Sequence, residues 1–175
     1  MWSSRSRTAP RTHSSVVAIG IAMLFLAGCE FTPVYAPGAT GAALSGSVTV
    51  APAEDELQFI LVRELENRLG PAGSPRYSLT TALSTRSERV SITADQDTNR
   101  FNLVGRARWS LIEDGSGAEI ATGRADAFSS YSATGTTVAT EAAERDAYRR
   151  LMVILADKII IDVTTRDLDM GVSAQ

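Results

Sequence analysis

The sequence is poor in the residues that carry nucleophilic and metal chemistry. Its 175 residues include one cysteine, Cys29, and one histidine, His13. One cysteine cannot form an intramolecular disulfide. Because both residues lie near the N-terminus, the rest of the chain cannot build a Ser-His-Asp or Cys-His catalytic group, or a zinc site of histidine and cysteine. The remaining composition, 44% hydrophobic and 21% charged residues, is typical of one ordinary globular domain.

The first 28 residues have the composition of a secretory signal peptide. They contain Arg5, Arg7 and Arg11 but no acidic residue, and an apolar run extends from Val16 to Ala27. That run is too short for a transmembrane helix, which needs about 20 residues. Small residues end the run, as a cleavage site requires. We predict a signal peptide over residues 1–28.

The cleavage region Leu26-Ala27-Gly28-Cys29 is the pattern that bacterial lipoprotein processing modifies. We predict that Cys29 is lipidated, with palmitate among its acyl groups, and becomes the first residue of the mature chain. Three acyl chains exceed the two signals that stable membrane anchoring needs. Glu30 stands where an aspartate would favour retention in the inner membrane, so we expect a lipid anchor in the outer membrane, on the periplasmic side. The alternative is a chance cysteine beside an ordinary signal peptide or short membrane anchor.

The mature chain is acidic. Removal of three arginines with the signal peptide changes the net charge from −3 to −6. A domain of this charge lacks the positive electrostatic potential that attracts a nucleic-acid backbone, and in an exported location it does not meet nucleic acids. We therefore expect no nucleic-acid partner.

Composition and periodicity divide the mature chain into three parts. We predict a lipidated cysteine and flexible tether over 29–44, a folded domain over 45–167 and a disordered C-terminal tail over 168–175. Alternating apolar residues predict strands, and apolar residues spaced by three and four predict helices. The predicted strands are Leu44–Val50, Tyr77–Ile92, Phe101–Leu111 and about Glu119–Tyr131, and the predicted helices run from Pro52 to Leu69 and from Thr137 to Thr165.

The predicted order β-α-β-β-β-α indicates an α+β fold. We expect a two-layer sandwich in which a largely antiparallel four-stranded sheet carries both helices on one face. The other face of the sheet is then exposed to solvent or available to a ligand. The β-branched run Ile159–Ile161 makes the end of the last helix the least certain boundary.

Five arginines gather on the second and third predicted strands and the turn between them. Arginine binds phosphate and carboxylate through its planar fork of N–H donors, so the cluster suits an anionic glycolipid head group. The alternative is a solvated polar face paired with Glu88, Asp95 and Asp97. Nearby Trp109 and Phe101 are assigned to the core in preference to a ligand platform. The cluster consists of Arg86, Arg89, Arg100, Arg106 and Arg108.

No catalytic constellation is evident in the sequence. The segment Asp114–Gly117 is typical of a hairpin turn and lacks the spacing of a nucleophile elbow. The acidic trio Glu54, Asp55 and Glu56 lies where a helix N-terminus favours negative charge. We predict no catalytic residue, no metal site and no cofactor. A lipid-anchored hydrolase would need a nucleophile and base that the mature chain lacks.

Several short motifs resemble the lipoprotein LptE of the lipopolysaccharide transport apparatus, especially its alphaproteobacterial form. The family usually has glycine directly after the lipidated cysteine, where this chain has Glu30. The similar motifs are Phe31-Thr-Pro-Val-Tyr35 after the cysteine, Glu66-Asn-Arg-Leu69, Tyr77-Ser-Leu-Thr, Thr98-Asn-Arg100 and Glu141-Ala-Ala-Glu-Arg-Asp-Ala147.

The resemblance implies a non-enzymatic subunit of an outer-membrane complex. Such a protein sits inside the large β-barrel LptD as a plug and folding scaffold, and contacts lipopolysaccharide on its way to the surface. A two-layer domain with a spare polar face can fill a wide polar lumen. The arginine cluster would then meet the acids of lipid A or the inner core. The alternative is an auxiliary lipoprotein of another envelope lipid-transport or barrel-assembly complex.

Overall fold

The computed structural model describes residues 39–92 and 98–166. The predicted signal peptide, Cys29, Asp95, Asp97 and the predicted tail 168–175 lie outside the described residues. In chain order the described elements are α1 (Thr40–Leu44), β1 (Val48–Val50), α2 (Glu56–Leu69), β2 (Tyr77–Ile92), β3 (Thr98–Glu113), β4 (Glu119–Ser132) and α3 (Thr137–Thr165).

The four strands form one mixed sheet in the order β1-β2-β3-β4. β1 is parallel to β2, while β2 with β3 and β3 with β4 are antiparallel. Helix α2 supplies the crossover that a parallel neighbour requires. The predicted α+β class and the largely antiparallel sheet are confirmed.

Helix α2 ends at the predicted Leu69 but begins at Glu56, four residues after the predicted start at Pro52. The Asp55 carboxylate accepts a hydrogen bond from the Gln58 N–H at 2.7 Å and so caps the first turn. Gly70, with a φ of 78°, ends the helix in a backbone conformation that suits glycine. Leu61, Leu65 and Leu69 of the predicted apolar stripe are buried.

Helix α3 extends over the predicted residues, from Thr137 to Thr165. The run Ile159–Ile161 stays helical, because Ile159 and Ile160 are buried against the rest of the core while Ile161 faces outward. Packing therefore overrides the weak β preference of the three isoleucines. The sheet approaches α3 closely at Gly105, where a Cβ atom would lie 3.0 Å from side-chain carbons of both Leu151 and Leu155.

The short helix α1 differs from the sequence prediction, which placed the end of a flexible tether and the start of a strand at Leu44. Leu44 is fully buried, and the helix brings it into the core. The Thr40 hydroxyl donates to the Arg166 carbonyl at 3.2 Å, which joins α1 to the end of α3. Gly46, with a φ of 71°, then turns the chain into β1, which starts at Val48.

The sheet has one covered face and one open face. Odd-numbered side chains of the three long strands, such as Leu79, Leu103 and Ala127, are buried against α2 and α3, whereas even-numbered ones point away from the helices. We call the second side the open face. The hydrophobic core is therefore a single layer between sheet and helices, as the predicted two-layer arrangement requires.

Candidate functional site on the open face of the sheet

The register of the three long strands collects four arginines on the open face. Arg106 lies opposite Ser84 on β2 and Asp126 on β4, and Arg108 lies opposite Ala82 and Arg124. Arg86 lies opposite Val104. Residues far apart along the chain thus become neighbours through strand pairing, and four guanidinium groups share one surface.

One carboxylate serves two of these arginines. Arg106 Nε lies 2.7 Å from Asp126 Oδ1, and Arg124 Nε lies 2.8 Å from Asp126 Oδ2. The hydrogen bond from Arg106 and the charges of both arginines hold the pKa of Asp126 below its usual value. Arg86 pairs with Glu88 at 2.6 Å. These pairs are largely exposed, so each contributes little to stability and can exchange partners.

Arg108 has a different environment from its neighbours. Within residues 39–92 and 98–166 no carboxylate lies within ion-pair distance of it, and the residue directly across the strand pair is Arg124. Like charges in directly opposed positions repel. A shallow depression of about 660 Å³ lies beside both arginines, with Thr80, Ser110, Thr122 and one carboxylate residue, Glu119, along it. An anion placed there would meet two guanidinium forks and several hydroxyl groups, with the Glu119 carboxylate as the one opposing charge in the lining.

An apolar patch adjoins the arginines on the same face. Val104 lies opposite Phe128, and the Phe128 side chain is 70% exposed. A groove of about 580 Å³ runs past both residues to Ile154 and Lys158 of α3. A smaller depression of about 140 Å³ between Arg86 and Arg106 also reaches Val104. The open face can therefore contact acidic and apolar parts of one amphipathic ligand.

The structure divides the arginine cluster that the sequence predicted. Arg86, Arg106 and Arg108 come together on the open face. Arg89 lies opposite Phe101, and its odd position in the alternation puts it on the covered side of the sheet. Arg100 lies six residues from Arg106, about 20 Å along the strand. Arg89 and Arg100 are therefore not part of the central group.

Arg124 was missed by the sequence analysis, although a signal for it exists. Thr122, Arg124 and Asp126 alternate with buried Ala125 and Ala127, which assigns them to the polar side of β4. The hairpin turn at Asp114–Ser116 fixes the register of β4 against β3. A register count from this turn would have set Arg124 beside Arg108.

The two aromatic residues that the sequence assigned to the core have different surroundings. Trp109 is buried opposite Gly123, and the Arg166 guanidinium lies over its ring at 5.1 Å. Phe101 is half-buried and stacks on Tyr131, with ring centroids 5.2 Å apart. Burial, with the charge of Glu144, raises the pKa of Tyr131. Trp109 is confirmed as core, and Phe101 belongs to its margin.

Residues 39–92 and 98–166 contain neither a cluster of metal ligands nor a membrane-crossing helix. No group of three or more histidine, cysteine, aspartate or glutamate side chains there could hold a metal ion. No helix within those ranges is long and apolar enough to cross a membrane. Of the acidic trio at α2, Asp55 caps the helix, which agrees with a structural role.

Comparison with known proteins supplies an independent line of evidence. Residues 45–163 match the family model LptE, described as lipopolysaccharide-assembly. The crystal structure of a protein from Caulobacter crescentus CB15, classed as a lipoprotein, is similar at 27% identity and a TM-score of 0.60, over 72% of this chain and 93% of that one. Rare lipoprotein B from Shewanella oneidensis shares the fold at 13% identity and a TM-score of 0.51, over 66% and 90%. No curated protein sequence matches the chain.

The family match covers the whole sheet and nearly all of both long helices, including every strand that carries the arginines of the open face. It agrees with the motifs that the sequence shares with LptE. The chain therefore belongs to the LptE family of lipopolysaccharide-assembly lipoproteins.

Proposed function

We propose that this protein is a non-enzymatic outer-membrane lipoprotein that plugs and helps assemble an LptD-type β-barrel and binds lipopolysaccharide during its transport to the cell surface. Membership of the LptE family supports the general role. The finer role rests on the open face of the sheet, which lies outside the hydrophobic core and combines charged and apolar groups.

The observation that carries the ligand proposal is the unbalanced charge around Arg108. Arg106, Arg108 and Arg124 lie on adjacent strands, and Asp126 pairs with Arg106 and Arg124 but not with Arg108. Phosphate and carboxylate groups of lipopolysaccharide are the anions that arginine forks bind well. Phe128 and Val104 lie where acyl or other apolar parts of the same molecule would follow. Arg86 extends the basic surface, while Arg89 and Arg100 are more distant members of the predicted site.

The barrel partner is proposed from family membership together with the shape of the domain. A large barrel has a polar lumen, and a compact plug needs a polar surface to fill it. The open face carries hydroxyl, amide and guanidinium groups along three strands. Arginines held by exposed ion pairs can rearrange to meet polar groups of a barrel wall.

The membrane anchor is proposed from the cleavage motif that ends in Cys29. In cells, Cys29→Ala should leave an unlipidated precursor that fractionates away from the outer membrane. Metabolic labelling with a palmitate analogue and membrane fractionation measure both effects. A Ser45→Ala variant, changed in an exposed residue of the folded part, is the matched control and should label like the wild type. Normal acylation of the Cys29→Ala protein would contradict the anchor.

Affinity purification from detergent extracts tests the complex itself. The lipidated protein is purified, washed at high salt, and its bound proteins are identified by mass spectrometry. A stoichiometric LptD-type barrel is the expected result. Recovery of an inner-membrane transporter in its place would point to the auxiliary-lipoprotein alternative and contradict the plug.

A further inference from the structure

Strand β4 forms a free edge of the sheet. Within the described residues it pairs with β3 and with no other strand. The Lys158 ammonium donates to the Asp126 carbonyl at 2.6 Å, and Arg150 donates to the Ser130 carbonyl at 3.1 Å. Both carbonyls therefore point away from β3. Since backbone direction alternates along a strand, the N–H and C=O groups of Phe128 point the same way.

The segment around Phe128 is open between these two contacts. None of the described side chains forms a hydrogen bond with the Phe128 carbonyl, and its phenyl ring is 70% exposed beside the groove to Ile154. Unpaired edge groups next to an apolar groove are the combination that strand addition uses: main-chain hydrogen bonds bind the segment, and pockets receive alternate side chains.

The charge along this edge selects the kind of segment that fits. Beside this segment α3 carries Arg149, Arg150 and Lys158, and the two arginines pair with Asp146. The carboxylates of Glu144 and Asp162 lie beyond the two ends of the segment, at Tyr131 and Gly123. Lys158 has no ion-pair partner among the residues described. An incoming strand would replace the donors on the two carbonyls and leave both cationic groups to pair with acidic side chains.

A second copy of the chain fits this edge poorly. Antiparallel pairing of two β4 strands around Phe128 would bring Lys158 and Arg150 of each copy towards those of the other. Like charges at close range disfavour such a pair, which is how edge lysines prevent self-association. The same cations attract an acidic segment.

We infer that β4 between Arg124 and Ser130 receives an extended acidic segment of the barrel partner as an added strand, with an apolar side chain in the groove and a carboxylate on Lys158. The inference rests on the proposed function, because it assigns the segment to the barrel. It adds a contact through the strand edge, separate from the arginines of the open face.

Proline at position 128 tests the backbone contact. Its missing N–H points away from β3, so Phe128→Pro removes an edge donor and leaves the β3 ladder intact. Phe128→Ala removes the ring but keeps the N–H group. Phe128→Ala is therefore the matched control, because it separates loss of the ring from loss of the edge donor. Thermal unfolding of each purified variant checks its fold.

Each variant is co-expressed as the lipidated full chain with its barrel, and barrel retention is measured after a high-salt wash. We expect Phe128→Pro to lower retention about tenfold or more and Phe128→Ala to lower it by less. In hydrogen exchange of the wild type, amides of residues 124–130 should become protected when the barrel is bound. This second readout needs no folded proline variant.

Four results would overturn the inference. Unchanged retention of Phe128→Pro, with no new protection at 124–130, would remove the strand contact while the plug function stands. Equal loss in Phe128→Ala and Phe128→Pro would assign the groove to a side-chain or acyl contact. A wild-type dimer that Phe128→Pro dissociates would assign the edge to a second copy. A wild-type protein that retains no barrel would contradict both the inference and the proposed function.

Discussion

The two faces of the sheet are built from the same strands but follow different rules. On the covered face, Leu79, Leu103 and Leu111 are 1% exposed or less and touch the helices. On the open face, arginines and hydroxyl residues alternate with them and pair through exposed contacts. Burial makes each covered side chain specific in size and shape, whereas an exposed ion pair tolerates change. Stability should therefore depend on one face and binding on the other.

The largest stability effect should come from the centre of the covered face. Leu151 is fully buried beside Gly105, so Leu151→Ala should leave a cavity and lower the free energy of unfolding by about 2–5 kcal/mol. Ser84→Ala, on the open face of the same sheet, should stay within about 0.5 kcal/mol of the wild type. Urea denaturation followed by circular dichroism measures both. Equal effects would abolish the distinction between the faces.

The closest packing on the covered face offers a second test. A Cβ atom at position 123 would lie 2.6 Å from the ring of Trp109, so Gly123→Ala should destabilise the fold by about 1–3 kcal/mol through overpacking. Gly115→Ala, in a turn with no atom within 4 Å of the added methyl, is the matched control. Trp109 is the one tryptophan after residue 28, so its fluorescence reports the displacement. An unshifted emission maximum with wild-type stability would contradict this packing.

Lipopolysaccharide binding should depend on the open face and not on the covered face. The triple change of Arg106, Arg108 and Arg124 to alanine should weaken lipopolysaccharide binding about tenfold or more and make it less sensitive to salt, because charge-assisted contacts are lost. The matched control changes Arg89 and Arg100 to alanine and should weaken binding less. Binding is measured across a salt series. Equal loss of binding in the two variants would indicate a general charge effect. Unchanged binding in both would show that the arginines form a solvated face without a role in binding.

The smallest expected effect concerns Asp126. Asp126→Asn removes the carboxylate shared by Arg106 and Arg124, so anion binding should strengthen severalfold at most. The hydrogen bond from Arg106 lowers the pKa of Asp126. The charged carboxylate therefore contributes to stability at any pH above 3.8, the usual pKa of an aspartate. That contribution disappears as pH falls through the lowered pKa. The small difference in unfolding free energy between Asp126→Asn and the wild type should therefore disappear at low pH. A difference that does not change with pH would contradict the ion pair between Arg106 and Asp126.

Local patterns predicted most elements but fewer of the contacts between them. Alternation in β2 and β3 and the apolar stripes of α2 and α3 indicated a two-layer α+β fold, and the caps at Asp55 and Gly70 mark the ends of α2. Helix α1 was not anticipated, because five residues show no periodicity and their helix depends on burial of Leu44. The sequence identified a group of arginines on two neighbouring strands. It did not indicate which of them lie together at the centre of the open face.

Strand pairing explains that difference. A sequence shows which side chains share a side of one strand, yet the neighbours across the sheet depend on register and on bulges. The irregular pairing between Arg89 and Ser91 is such a case, as is the pairing of Arg108 with Arg124. A register slip of one residue would move a side chain to the opposite face.

The amino-acid sequence by itself determined the chemistry available to this protein: the motif Leu26-Ala27-Gly28-Cys29, a folded part without histidine or cysteine, and strands with one apolar and one polar side. Those properties depend on local composition and periodicity. The tertiary structure alone decided that Arg108 meets Arg124, that Asp126 serves two arginines, and that β4 pairs with β3 alone among the described strands. These features join residues distant in the chain, because strand pairing and helix packing set their distances.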